Sequence, residues 1–244
     1  MTNKSRKERY EEVNDEIKKE LEKKNKATVK DVNGQRYIGC ALDEGKTIEV
    51  YGTPGNDMAC YLNGGRIVVY GNCQDAVGNT MGGGEIVVHG HSGDAMGYGM
   101  RDGQIYIKDN VACRGGIHMK EFRQMRPVLV IGENAGSFLG EYMAGGTIVL
   151  LGLNMKRGEK LFGTHCASGM HGGKIFVRGK VPKENLAPNI NVESLTKDDE
   201  KELKTYVKKY CKYFDKDYDE IMSKPFKKLV PASSRPYANL YTPN

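Results

Sequence analysis

The sequence predicts a mainly β protein: a right-handed parallel β-helix of about seven coils, each of roughly 19 residues, with a helical segment at either end. Three observations predict it. All 31 glycines fall between Gly34 and Gly179, so the middle of the chain has one architecture and the flanks another. In that middle, seven short aliphatic strands begin at Ile48, Ile67, Ile86, Ile105, Val128, Ile148 and Ile175, at intervals of 19, 19, 19, 23, 20 and 27 residues. Within each strand the first and third residues are aliphatic (Ile48/Val50, Ile67/Val69, Ile86/Val88, Ile105/Ile107, Val128/Val130, Ile148/Leu150, Ile175/Val177), which the two-residue period of a strand places on one buried face.

The elements follow in chain order. Residues 1–27 read as a charged helix, because Tyr10, Val13, Ile17 and Leu21 form one stripe amid Lys and Glu. Residues 28–181 hold the repeats. Four-residue strands bounded by glycine cannot bury a core singly, so like strands stack about 4.8 Å apart into a prism on the order of 30 Å long. Each inward Ile or Val contributes about 1.5 to 3 kcal/mol on full burial, enough in sum to oppose the entropy of ordering the chain. A smaller signature follows several strands, Asp75-Ala-Val-Gly78, Asp94-Ala-Met-Gly97 and Gly136-Ser-Phe-Leu-Gly140, and supplies another wall. Residues 182–244 begin a second helix at Thr196, whose pairing with Asp199 has the form of a capping box. Leu203, Tyr206, Val207, Tyr210 and Phe214 give that helix an apolar face, and a proline-rich stretch with Pro225, Pro231, Pro236 and Pro243 gives an extended tail. The helices cap the exposed strand edges of the end coils.

Composition narrows the function classes. The 244 residues are 39% hydrophobic and 28% charged, with no long apolar run and a charged start, so neither a membrane span nor a secretory leader is expected and the location is read as cytoplasmic. The net charge of +6 divides evenly, +2 in each of the three segments, so no basic patch suggests nucleic acid. Six cysteines without a CxxC pair read as small buried thiols in a reducing compartment.

No motif carries chemistry. Neither GNTMGGGEIVVHG nor GMHGGKIF has the Lys-Ser/Thr of a P-loop, and GYGMRDG leads into a strand, where a pyrophosphate would want a helix N-terminus. His89, His91, His118, His165 and His171 read as turn and surface imidazoles. Asp75 and Asp94 recur in register, which is what a structural turn requires. No residue is therefore assigned a catalytic, cofactor-binding or metal-ligating role.

The repeats, with turns such as GNTMGGGE, GDAMGYGMRDG and above all Gly140-Glu141-Tyr142-Met143-Ala144-Gly145-Gly146-Thr147 before a β run, resemble the GXGXG domain of the glutamate synthase large subunit over roughly residues 45–180. The resemblance implies a β-helix without catalytic residues of its own, inside an oxidoreductase that makes glutamate from glutamine and 2-oxoglutarate in ammonia assimilation. It implies a free-standing subunit beside a glutamine amidotransferase and a synthase carrying FMN and an iron–sulfur cluster, with no cofactor in this chain, and a homo-oligomer is compatible with it. The start Met1-Thr2-Asn3, with no nearby cysteine, is not that of the amidotransferase. A more distant similarity is to the β-helix domain of formylmethanofuran dehydrogenase, which makes a β-helix subunit of such a complex the alternative.

On either reading the function lies in a partner surface, and two patches are candidates. The second strand positions, Glu49, Val68, Val87, Tyr106, Leu129, Val149 and Phe176, form an outward apolar stripe that is either a docking face or the seat of a terminal helix of the same chain. The long intervals, within Asn110–Pro127 and Leu153–Lys174, are expected to emerge on one side of the prism, offering Arg114, His118, Met119, Phe122 and Arg123 with Lys156, Arg157, Lys160 and Phe162.

Overall fold

Strands too short to bury a face alone stack here into one continuous sheet. The computed structural model describes residues 9–235. The order is α1 (Tyr10–Lys23), β1 (Lys26–Asn33), β2 (Thr47–Thr53), β3 (Asn63–Tyr70), β4 (Gly82–Val88), β5 (Asp102–Ile107), β6 (Val128–Ile131), β7 (Ala144–Leu150), β8 (Gly172–Arg178), a 3-10 turn (Lys183–Asn185), β9 (Ile190–Glu193), α2 (Lys197–Phe214), α3 (Tyr218–Met222) and β10 (Phe226–Pro231). Strands β1 to β8 are parallel and neighbour one another in sequence order, and β10 then pairs antiparallel with both β8 and β9. The chain is thus a β-solenoid of about six turns, slightly fewer than the seven expected.

The inward ladder is the predicted one at six strands: Ile48, Ile67, Ile86, Ile105, Ile148 and Ile175 are all fully buried in one core. At β6 the register differs by one residue. Ile105 pairs with Leu129 and Ile107 with Ile131, so Leu129 and Ile131 face the core, while Val128 and Val130 pack on the outer side. The intervals around this strand are then 24 and 19, in place of 23 and 20. The physical reason is that Val-Leu-Val-Ile is apolar at every position, because this strand is buried on both faces, and a sequence without alternation does not choose its own register.

Each turn uses left-handed backbone at alternate residues, and the middle one is glycine or alanine. Gly140 (φ +68°) shows why, since a Cβ there would lie 2.9 Å from Ile175 Cδ1 of the strand wall. Ala59 and Ala167 take the same place with φ of 59° and 61°. The recurring carboxylates tie coil to coil, as a structural turn demands. Asn56 Oδ1 accepts the Asp75 N–H (3.3 Å), Asp75 Oδ1 the Asp94 N–H (2.9 Å), and Asp94 Oδ1 the Cys113 N–H (2.8 Å).

The ends are closed differently. Helix α1 lays Val13, Ile17 and Leu21 into the core of the first coil. At the far end β10, in the stretch expected to be extended, pairs with β8 and buries Leu229, and β9 follows it. Pro236 and Pro243 of the expected tail lie outside the described residues. Helix α2 starts at the expected capping box: Thr196 Oγ1 accepts the Asp199 N–H (3.2 Å), and Asp199 Oδ2 accepts the Thr196 N–H (3.0 Å).

Candidate functional site

The outward apolar stripe is covered by this chain itself. Val68, Val87, Tyr106, Val130, Val149 and Phe176 form a second core with Leu203, Val207, Tyr210 and Phe214 of α2, and Ile221 of α3 completes it. Val130, not Leu129, holds the fifth place in the stripe, following the β6 register.

Polar latches fix the helix to the sheet. Lys174 Nζ lies 3.0 Å from Asp199 Oδ1 and 2.6 Å from Glu202 Oε2, and Lys228 Nζ lies 2.9 Å from Asp199 Oδ2. Burial alone would raise the Asp199 pKa. Hydrogen bonds from Lys228, Thr196 and Lys174 outweigh burial and hold the carboxyl well below its ordinary range. Farther along, Glu85 accepts from Arg66 (3.0 Å), Lys209 (3.3 Å) and the Tyr213 hydroxyl (2.7 Å), and Tyr210 donates its hydroxyl to the Lys108 carbonyl (2.7 Å). Burial, followed by the hydrogen bond to Glu85, pushes the Tyr213 phenol up to about 12, so it stays neutral and donating.

The two long loops do not share a side. The first is a tight hairpin between a turn and the start of β6, with Phe122 and Met125 exchanging backbone hydrogen bonds. The second follows the end of β7, so the loops flank opposite ends of the strands. Two of the expected anchors, Met119 and Phe162, are fully buried in the core. Phe122 is 55% exposed, with the Arg123 guanidinium 5.0 Å from its ring centre, and Arg114, His118, Lys156, Arg157 and Lys160 are exposed as expected.

The structure brings together a third surface at the turn corner. On either side of each inward glycine or alanine, the two outer left-handed positions carry their side chains to the surface at successive coils. One column contains Arg114, Phe138 and His165, and the other contains Tyr61, His118 and Tyr142. The rings stack as the coils stack. His118 lies 5.2 Å from Tyr142 and nearly parallel to it, Tyr98 meets His118 edge-on at 5.9 Å, and Phe138 stacks on His165 at 5.1 Å beneath the Arg114 guanidinium. Arg114 joins the columns through Glu141 at 3.3 Å.

The Phe122 hairpin adjoins this corner, held by the Gly146 N–H donating to Glu121 Oε2 (2.9 Å). Tyr61 is 59% exposed, Tyr98 41% and Tyr142 40%. The clue in the sequence is the residue two places before or after each inward glycine or alanine, with Tyr98 directly after Gly97, a register that aliphatic strand anchors do not display.

Among the described residues no three His, Cys, Asp or Glu side chains group as ligands of a metal ion, and no helix is long and apolar enough to cross a membrane. The GXGXG motif family matches residues 4–234. The chain belongs to the GXGXG motif family. It is also 41% identical over 244 residues, covering 96% of this chain and 94% of its relative, to an uncharacterized protein of Methanocaldococcus jannaschii. In this GXGXG chain the stretch Gly140–Thr147 runs from the aromatic corner into β7.

Proposed function

We propose that this GXGXG protein is a non-catalytic structural subunit of a glutamate synthase assembly, holding a glutamine amidotransferase and an FMN and iron–sulfur synthase in position through its turn corner. The observation that carries the reading is the contrast in coverage. The solenoid interior is filled by side chains and its outer sheet face is clad by α2, while the stacked rings of Tyr98, His118 and Tyr142 remain exposed. Aromatic and arginine side chains held rigid by their neighbours lose little freedom on docking, which is why such groups anchor interfaces. On this reading the redox cofactors and the reaction of glutamine with 2-oxoglutarate belong to the partners.

Affinity purification of the full chain from its native cell tests the assembly. A flavin-containing complex with amidotransferase and synthase subunits is expected, whereas a molybdopterin-type complex would support the formylmethanofuran dehydrogenase alternative. The corner is tested separately by Tyr142→Ala with Phe122→Ala and Arg123→Ala. Partner recovery should fall at least tenfold, about 1.4 kcal/mol, with the fold unchanged by circular dichroism. Undiminished recovery would move the docking site elsewhere on the molecule.

A further inference from the structure

Cys40 and Cys60 are 20 residues apart and occupy the same place in consecutive turns, each directly after the inward residue, Gly39 and Ala59. The Ala41 N–H donates to the Cys60 carbonyl at 2.9 Å, which pins the two turns side by side at this point. Residues stacked across neighbouring coils have Cα atoms about 4.8 Å apart, inside the roughly 4.4 to 6.8 Å range that a disulfide spans without backbone movement.

The other cysteines have no such neighbour. Cys73 bridges to Ser92 and Cys166 to Leu186, Cys113 follows Asp94 in its column, and Cys211 lies on α2. Access is also asymmetric. Cys40 is exposed and lines a cleft of about 560 Å³ between α1 and the first coil, with Leu21 and Lys46 in its wall, while Cys60 is buried.

We propose that Cys40 and Cys60 form a dithiol modification site that a small disulfide, such as oxidised glutathione, converts to an intrachain bond joining the first two turns beside α1. The Cys40 sulfur, as thiolate, attacks one sulfur of the small disulfide. That S–S bond breaks, one thiolate leaves, and Cys40 carries a mixed disulfide. The Cys60 thiol then loses its proton to solvent, attacks the Cys40 sulfur and expels the second thiolate. The pair is oxidised by two electrons, the small disulfide is reduced to two thiols, and the chain retains no adduct. Burial and the adjoining Cys40 sulfur push the Cys60 pKa up to about 12, which makes Cys40 the attacking group and Cys60 the resolving one.

The full chain is incubated folded with excess oxidised glutathione, freed of it, alkylated with iodoacetamide in denaturant and digested with trypsin. Cleavage after Arg36, Lys46 and Arg66 leaves the two cysteines on separate peptides, 37–46 and 47–66. The expected product is these peptides linked, two hydrogens lighter than their sum, with alkylatable thiols falling from six to four as two are consumed. Cys60→Ser should stop the reaction at a lasting glutathione adduct on Cys40, and Cys40→Ser should abolish the link. Cys60→Ala repeats the trap if serine disturbs the buried site. Wild-type protein that keeps glutathione on Cys40, that leaves both peptides alkylated, or that forms the link only in denaturant would overturn the assignment.

Discussion

The sheet face under α2 and the turn corner both repeat apolar side chains coil by coil, yet only the first is covered. Val68, Val87, Tyr106, Val149 and Phe176 meet the helix and are buried. Tyr61, Tyr98 and Tyr142, on another side of the same coils, remain two-fifths exposed or more. Their chemistry explains the division. The sheet face is largely aliphatic and loses most by meeting water, so the chain supplies a helix and charged latches to seal it. The corner is built of tyrosine, histidine and arginine, whose polar tips tolerate water while their rings stay stacked, so it can remain open without forcing collapse.

Breaking the covered side should have the largest effect. Phe176→Ala removes a fully buried ring from beneath α2 and is expected to cost about 3 to 5 kcal/mol, read as a lower urea midpoint together with binding of a hydrophobic dye. A loss under 1 kcal/mol would mean that α2 does not seal this face.

The next effect is electrostatic. The Asp199 carboxyl is held below its ordinary pKa of 3.8 by Lys228, Thr196 and Lys174, so its stabilisation is fully present above about pH 4 and drains away as pH falls through the depressed value. Asp199→Asn should cost about 2 kcal/mol at pH 7, less than for a fully buried pair because Lys174 keeps Glu202 and Lys228 keeps Glu193. It should also flatten the stability profile below pH 4, and equal acid sensitivity in variant and wild type would rule out Asp199 as the latch. Smallest is the corner itself. Tyr142→Ala should change stability by no more than about 1 kcal/mol in the same urea titration, since the ring is exposed and stacks on His118 at the surface. A larger loss would make the corner a support of the fold, and the contrast with the clad face would disappear.

Much of the molecule is legible residue by residue. The Ile ladder, the α1 stripe of Val13, Ile17 and Leu21, the Thr196–Asp199 capping box and the turn role of Asp75 and Asp94 all rest on contacts at fixed sequence separations, and such contacts leave a period or a motif behind. Sequence spacing misplaces Met119 and Phe162 as surface anchors because a long loop hides where the coil breaks off and resumes: Met119 closes a turn just before the hairpin, and Phe162 bridges to Ala135 where the coil takes up again. The stacked corner escapes it because the corner residues vary from turn to turn and share only a backbone conformation.

The chain's own pattern therefore determined that it would coil, which side chains of six of the seven strands would point inward and where α2 would begin. Only the tertiary structure decided the register of β6, the helix that clothes the outer face and the surface left bare. Periodicity records neighbours at constant spacing, whereas Lys209 reaches Glu85 across 124 residues, and no repeat in a sequence announces a contact made once.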